Sequence, residues 1–190
     1  MSTTSIAVAN NQTTQTAISL RNLYLIRAAF SICWVVLTAL FAKTSTEFAS
    51  ILLIIYPSWD VIATLIDIRS NQDVPSKTPQ YINAAISTLT TIAVALALQT
   101  GVPQALIIFG IWAILTGLIQ LFLGLRRRKS IGGQWPMIIS GGQSMLGGTS
   151  FIVFAYDPTK GIASIAGYAA FGAFYYLLAA FRLNRVIRKN

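Results

Sequence analysis

Apolar positions in this sequence come in long unbroken runs, not at every second place. Six runs, 23–41, 48–68, 81–98, 102–125, 135–154 and 161–181, approach the roughly 20 residues that a helix needs to cross a bilayer. The clearest stretch is 109–125, seventeen residues without a formal charge that stop at Arg126-Arg127-Arg128-Lys129. Nothing alternates in the way a membrane strand of about 9–11 residues would. The breaks carry loop chemistry: the polar, Pro-punctuated stretch 71–79, then Thr100-Gly101-Val102-Pro103, then Asp157-Pro158-Thr159-Lys160-Gly161. The expected fold is an all-α membrane protein of six transmembrane helices arranged as three hairpins, 23–68, 81–125 and 135–181. The membrane domain covers 21–183, and 184–190 forms a basic cytoplasmic tail. Residues 1–20 are rich in Ser, Thr, Asn and Gln and hold no cation. They lack the positive start and apolar core of a secretory signal and read as a disordered, uncleaved tail.

Composition supports the same solvent. The chain is 55% hydrophobic and 10% charged, against about 25% charged in a soluble domain. Its net charge of +9 is gathered where apolar runs end, which fits cytoplasmic loops facing anionic lipid headgroups and not a nucleic-acid face. With the amino terminus inside, the inner side holds twelve cations: Arg21, Arg27, Arg69, Lys77, Arg126, Arg127, Arg128, Lys129, Arg182, Arg185, Arg188 and Lys189. The outer side holds two, Lys43 and Lys160. Both termini are therefore expected in the cytoplasm, with Tyr24, Tyr81 and Trp135 opening the outgoing helices at the inner interface.

The three hairpins repeat. Ile54-Ile55-Tyr56-Pro57-Ser58-Trp59 overlays Ile107-Ile108-Phe109-Gly110-Ile111-Trp112, and Asp67 falls on Gln120. In the third hairpin Tyr168 falls on Trp112, and Ala173 on Gly117. The first helices share a pattern of polar, small, small, any, Ser: Arg27 to Ser31, Asn83 to Ser87, Ser140 to Ser144. Copies that are whole hairpins point the same way, which implies a pseudo-symmetry axis along the bilayer normal. Small residues recur every seventh place, at Gly110, Gly117 and Gly124 and at Ala166, Ala173 and Ala180. Close backbone approach through such residues is what packs helices in lipid.

The stretches Gly110-Ile111-Trp112-Ala113-Ile114-Leu115-Thr116-Gly117-Leu118-Ile119-Gln120 and Ser140-Gly141-Gly142-Gln143-Ser144-Met145-Leu146-Gly147-Gly148, with an Arg run between them, resemble the HdeD family. These are short bacterial inner-membrane proteins with repeated helix pairs, associated with acid resistance. The resemblance covers 81–183. Over 20–70, Pro57 and Asp60 depart from the family's Gly-rich text. It implies class, an inner-membrane location and a link to acid or envelope stress, and it carries no catalytic residue.

Charges inside a span are functional candidates. Arg27, Asp60 and Asp67 are the three here. Asp60 and Asp67, seven residues apart, share a helix face. Arg27 is expected to pair with Asp67 or Asp60 and fix helix packing, with proton binding at Asp60 as the sharper alternative. Repeat-equivalent positions form two sets, Arg27, Asn83, Ser140 and Asp67, Gln120, Tyr176, which would make polar rings around a cytoplasm-facing vestibule. Arg126, Arg127, Arg128 and Lys129 are candidates for lipid headgroups. There is one cysteine, Cys33, and no histidine, so no metal, cofactor or general base is expected. Gly132-Gly133 and Gly147-Gly148 lack the Lys-Ser/Thr of a phosphate loop. The expectation is a non-enzymatic membrane protein with lipids as partners, open to homo-oligomerisation and not to nucleic acid. The alternative is a small transporter or proton/ion conductor using Asp60. Against it, the outer helix halves are almost wholly apolar.

Overall fold

The computed structural model describes residues 3–70 and 76–188, with side chains from Gln12 onward. Lys189, one of the cations expected on the inner side, and most of the 71–79 loop lie outside the described residues. Among those described, the chain is all-helical: α1 (Thr3–Phe41), α2 (Thr46–Ser70), α3 (Thr78–Ala97), α4 (Val102–Ser130), α5 (Trp135–Val153) and α6 (Ile165–Ile187), with a 3₁₀ turn at Ile162–Ser164 before the last.

Local chemistry sets the boundaries. Pro79, Pro103 and Pro136 sit in the first turns of α3, α4 and α5, where a missing N–H costs nothing and φ is already helical. After α4, Gly132 and Gly133 take φ of +75° and +67°, a left-handed pair that residues with a Cβ resist. They turn the chain directly into α5. Pro57 lies inside α2 and removes the donor that would have met the Leu53 carbonyl. One residue earlier, the Trp34 indole Nε1 donates to the Leu52 carbonyl at 2.8 Å.

The helices close a ring in chain order, α1 beside α2 and onward to α6, which packs back on α1. The tightest seams join α4 to α5 and α6 to α1. Beside a buried apolar core, large apolar side chains cover the outside and polar groups are turned inward. Leu89, Leu96, Leu146 and Val153 are at least 60% exposed, while Asp60, Asp67, Asn83 and Ser87 are buried. An apolar exterior with the polar groups turned inward is the arrangement lipid demands.

Five helices are long and apolar enough to cross a bilayer. α5 is not among them. Four glycines, three serines, a threonine and a glutamine dilute its 19 residues. The expected spans match the helices to within a few residues, apart from three overruns. α4 continues through the cationic run, whose charges complement its carbonyl end. α6 continues to Ile187, through most of the segment expected as a basic tail, and leaves Arg182, Arg185 and Arg188 exposed. α1 begins at Thr3, so the stretch expected as a disordered tail is helical from there on. Ala17 and Leu20 are fully buried against Ala179, Ala180 and Leu183 of α6 and Met137 of α5. Small residues on both sides let a polar segment dock closely, a signal that overall polarity concealed. Cys33, within an apolar run of the sequence, is exposed.

Candidate functional site

A cavity of about 120 Å³ occupies the half of the bundle nearer the Arg126–Lys129 end. The other half holds a buried apolar core. There Trp34, Leu53, Leu106, Phe109, Phe151 and Ile165 form a buried apolar cluster, and none of them lines the cavity. Arg27, Asp60 and Asp67 all line it, as do Asn83, Gln120, Ser140 and Tyr176. Both sets of positions picked out by the repeat therefore face one interior space.

Arg27 from α1 meets Asp60 from α2 at 2.6 Å, with both side chains under 15% exposed. The same guanidinium donates to Tyr176 Oη and Thr64 Oγ1, each at 3.2 Å. The other carboxylate oxygen accepts from Asn83 Nδ2 at 2.6 Å and Ser87 Oγ at 2.8 Å. Ser87 in turn accepts from the Trp112 indole at 2.9 Å. One carboxylate thus ties α1, α3 and, through Ser87, α4 to α2, with α6 joined through Tyr176. A buried charge is tolerable when this fully partnered, and breaking the pair from one side costs about 3–5 kcal/mol. Of the two partners expected for Arg27, the structure selects Asp60.

Asp67 pairs with Arg127, whose Nη2 lies 2.7 and 3.0 Å from the two carboxylate oxygens. This corrects the reading of Arg127 as a lipid-headgroup residue: its side chain is 12% exposed and turned inward. The basic run divides. Arg126 reaches the Ser76 carbonyl at 3.3 Å, Arg128 stacks over the Trp135 ring at 4.8 Å, and Lys129 is exposed. Tyr81 and Trp135 are exposed as an interface demands, but Tyr24 is 4% exposed and donates to Gln134 at 3.1 Å. It belongs to the interior.

Aromatic rings close the deep end. Tyr56 contacts Trp34, Phe109, Trp112 and Tyr168, with ring centroids 4.8 to 6.5 Å apart. Ser144 bridges Tyr168 Oη, 2.7 Å away, to the Ala113 carbonyl at 2.9 Å. Trp59 stacks on Phe30 with centroids 4.5 Å apart.

Two residues that line the cavity each carry a buried polar atom without a hydrogen-bond partner, the Trp59 indole Nε1 and the Gln80 amide Oε1. The repeat sets Trp59 on Trp112 without pointing to its indole, and neither charge nor repeat points to Gln80. Gln80 lies three places before Asn83 on the same helix, and that spacing is the signal that placed it on the cavity side. Gln134 and Thr64 were missed for the same reason: an uncharged polar residue near a helix end looks like interface chemistry until its partner is known. No family model matches this chain, and neither a curated protein nor a solved structure matches it.

Proposed function

We propose that this chain is a non-enzymatic, integral protein of the bacterial inner membrane that receives a small solute into a vestibule on its cytoplasmic side. In this reading it crosses the bilayer six times, as three repeated hairpins with both termini inside. The observation that carries the proposal is the uneven filling of the bundle. Polar and charged groups from all six helices face one cavity at the basic end, and a packed apolar cluster blocks the rest of the way. A blocked path argues for holding a solute over conducting one. Asp60, with its oxygens engaged by Arg27, Asn83 and Ser87, is a poor proton relay.

α5 supplies the sixth span because its low apolarity belongs to one face. Its glycines Gly141 and Gly148 lie against α4, while Ile139, Leu146 and Val153 are more than half exposed. Arg69, Arg128, Lys129, Arg182, Arg185 and Arg188, all exposed, are the groups left to meet anionic headgroups. The resemblance to the HdeD family adds a role in tolerance of acid or envelope stress.

Two measurements test the reading. Reporter fusions after Lys43 and after Lys129 should land in opposite compartments, and finding both in one compartment overturns the topology. In a Cys33→Ala background, the thiol introduced by Ser140→Cys should react with a membrane-impermeant maleimide from the cytoplasmic side alone. Reaction from the other side, or none, removes the vestibule.

A further inference from the structure

We propose that the vestibule takes the head of a neutral, hydroxyl-bearing lipid such as a diacylglycerol, admitted sideways from the bilayer through a slot between α5 and α6. This rests on the vestibule reading and deepens it: the solute arrives from the inner leaflet and leaves its chains there.

A cavity opens sideways where a side chain that lines it also meets the outside. Among the described residues lining this one, Phe171 of α6 is the exposed member, at 55%. The others are buried or half-buried. α5 and α6 touch far less than α4 and α5 or α6 and α1 do. Contacts close their seam above and below one level. Toward the apolar half, a Cβ on Gly147 would lie 2.9 Å from the Tyr168 ring, and Phe151 meets that ring with centroids 5.6 Å apart. Toward the basic end, Met137 shares a buried cluster with Ala179, Ala180 and Leu183. The two helices run in opposite directions, so one turn from the Gly147–Tyr168 contact brings Gln143 level with Phe171 and Gly172. There the helices stand apart. Within 4 Å a Cβ on Gly172 would meet Tyr56 Oη, at 3.9 Å, and no atom of α5.

The chemistry on either side of the slot names the occupant. Outside it, Ile139 and Leu146 of α5 and Phe171 and Phe174 of α6 are all more than half exposed, a surface suited to acyl chains. Inside it, Gln143 is half-buried on the cavity wall, and its amide has no hydrogen-bond partner among the described residues. This amide is reachable, unlike the sealed atoms of Trp59 and Gln80. It offers an acceptor oxygen and two N–H donors. A hydroxyl answers both kinds, whereas a ketone oxygen only accepts. Gln143 lies eight residues past Trp135, about 12 Å along the helix at 1.5 Å per residue. That is close to the middle of a hydrocarbon layer roughly 30 Å thick. A phosphate or ammonium head is costly at such depth. No counter-charge waits for it, because Arg27 and Arg127 are closed on Asp60 and Asp67 at 2.6 and 2.7 Å. An uncharged hydroxyl head reaches this level without that cost. The cavity, about 120 Å³, leaves no room for the chains, which stay in the leaflet.

A diacylglycerol with a diazirine at the head end of one acyl chain is photolysed with the full chain in lipid nanodiscs, and the crosslinked residues are mapped. Maleimide labelling of Ser140→Cys in the Cys33→Ala background is followed alongside. Crosslinks should saturate and centre on Gln143, Phe171 and Gly172. They should yield to unlabelled dioctanoylglycerol and not to phosphatidylglycerol or phosphatidylcholine. Gly172→Leu puts a side chain into the slot and should reduce the saturable crosslink to background. Gln143→Met keeps the side chain's length, removes the amide and should weaken binding of dioctanoylglycerol about tenfold; it carries the test if Gly172→Leu folds poorly. Crosslinks that spread over the lipid-facing surface without saturating overturn the proposal. So does competition by either phospholipid, or saturable crosslinking unchanged in both variants. A thiol labelled from the cytoplasmic side with no saturable crosslink leaves the vestibule standing and removes its lipid. A saturable crosslink at the slot with an unlabelled thiol upholds the lipid and removes the cytoplasmic mouth.

Discussion

The seam between α4 and α5 and the seam between α2 and α3 solve the same problem by opposite means. At the first, glycines remove the side chains that would hold the helices apart. A Cβ on Gly110 would lie 2.6 Å from the Gly148 carbonyl oxygen, and one on Gly117 2.8 Å from that of Gly141. The backbones come close enough for Ser144 to donate directly to the Ala113 carbonyl. At the second seam the position 53 residues before Ala113 is Asp60, and the position 57 before Ser144 is Ser87. Pro57 and Thr64 stand where Gly110 and Gly117 stand in the other. The helices are held off by real side chains, and Ser87 donates to the Asp60 carboxylate. Polar contact with a side chain has taken the place of polar contact with the backbone. The lesson is that a helix pair in lipid needs either proximity or a hydrogen-bonded bridge. Only the bridge leaves room beside it for a cavity.

The sharpest way to break this comparison is to leave the bridge half made. Arg27→Met strands Asp60 in the interior and should cost about 3–5 kcal/mol, read by unfolding the protein with SDS in mixed micelles. Adding Asp60→Leu should recover most of the loss. Equal loss in the single and double variants would mean the charges do not act as a unit. Next in size is the glycine seam. Gly148→Ala drives a methyl group into the Gly110 carbonyl and the Ile114 backbone and should cost about 1–3 kcal/mol. Gly142, on the same helix, has open space where its Cβ would be. Gly142→Ala should be neutral or stabilising by up to about 1 kcal/mol. If the two substitutions behave alike, close approach is not what holds α4 to α5. The smallest effect lies outside both seams. Asp157 accepts hydrogen bonds from the Thr159 N–H and hydroxyl, which hold its carboxyl below the ordinary value of 3.8. A carboxylate with a lowered pKa stabilises the fold above its unfolded value and loses that contribution as pH falls through the lowered one. Asp157→Asn should therefore lower Tm slightly at pH 7, less than either seam variant does, with the difference fading in acid below about pH 3.8.

Much of the frame was legible in the residues. Long uncharged runs marked the helices, and Pro-bearing breaks marked the turns. The offset that overlays Trp59 on Trp112 named the positions that line one cavity. Other features depended on partners that spacing along one helix does not name. Arg127 read as part of a surface run because three cations flank it, and only the seating of α2 brings Asp67 within 3 Å. The first twenty residues read as a tail because Thr, Asn and Gln dominate. Their docking depends on Ala17 and Leu20 finding Ala179, Ala180 and Leu183, far away in sequence. Trp59 and Gln80 carry no charge, so their unpaired atoms emerge only when every neighbour has been counted.

The ring closes between its first helix and its last, and this sets an order for biogenesis. α1 leaves the ribosome with Leu20, Tyr24 and Arg27 prepared for contacts that α6 supplies: Leu183 against Leu20, Tyr176 beside Tyr24 and Arg27. Until residue 183 has been synthesised, the insertion machinery must shelter an arginine whose wall is one helix short. The arrival of α6, and not completion of either earlier hairpin, is therefore the event that seals the interior from bulk lipid.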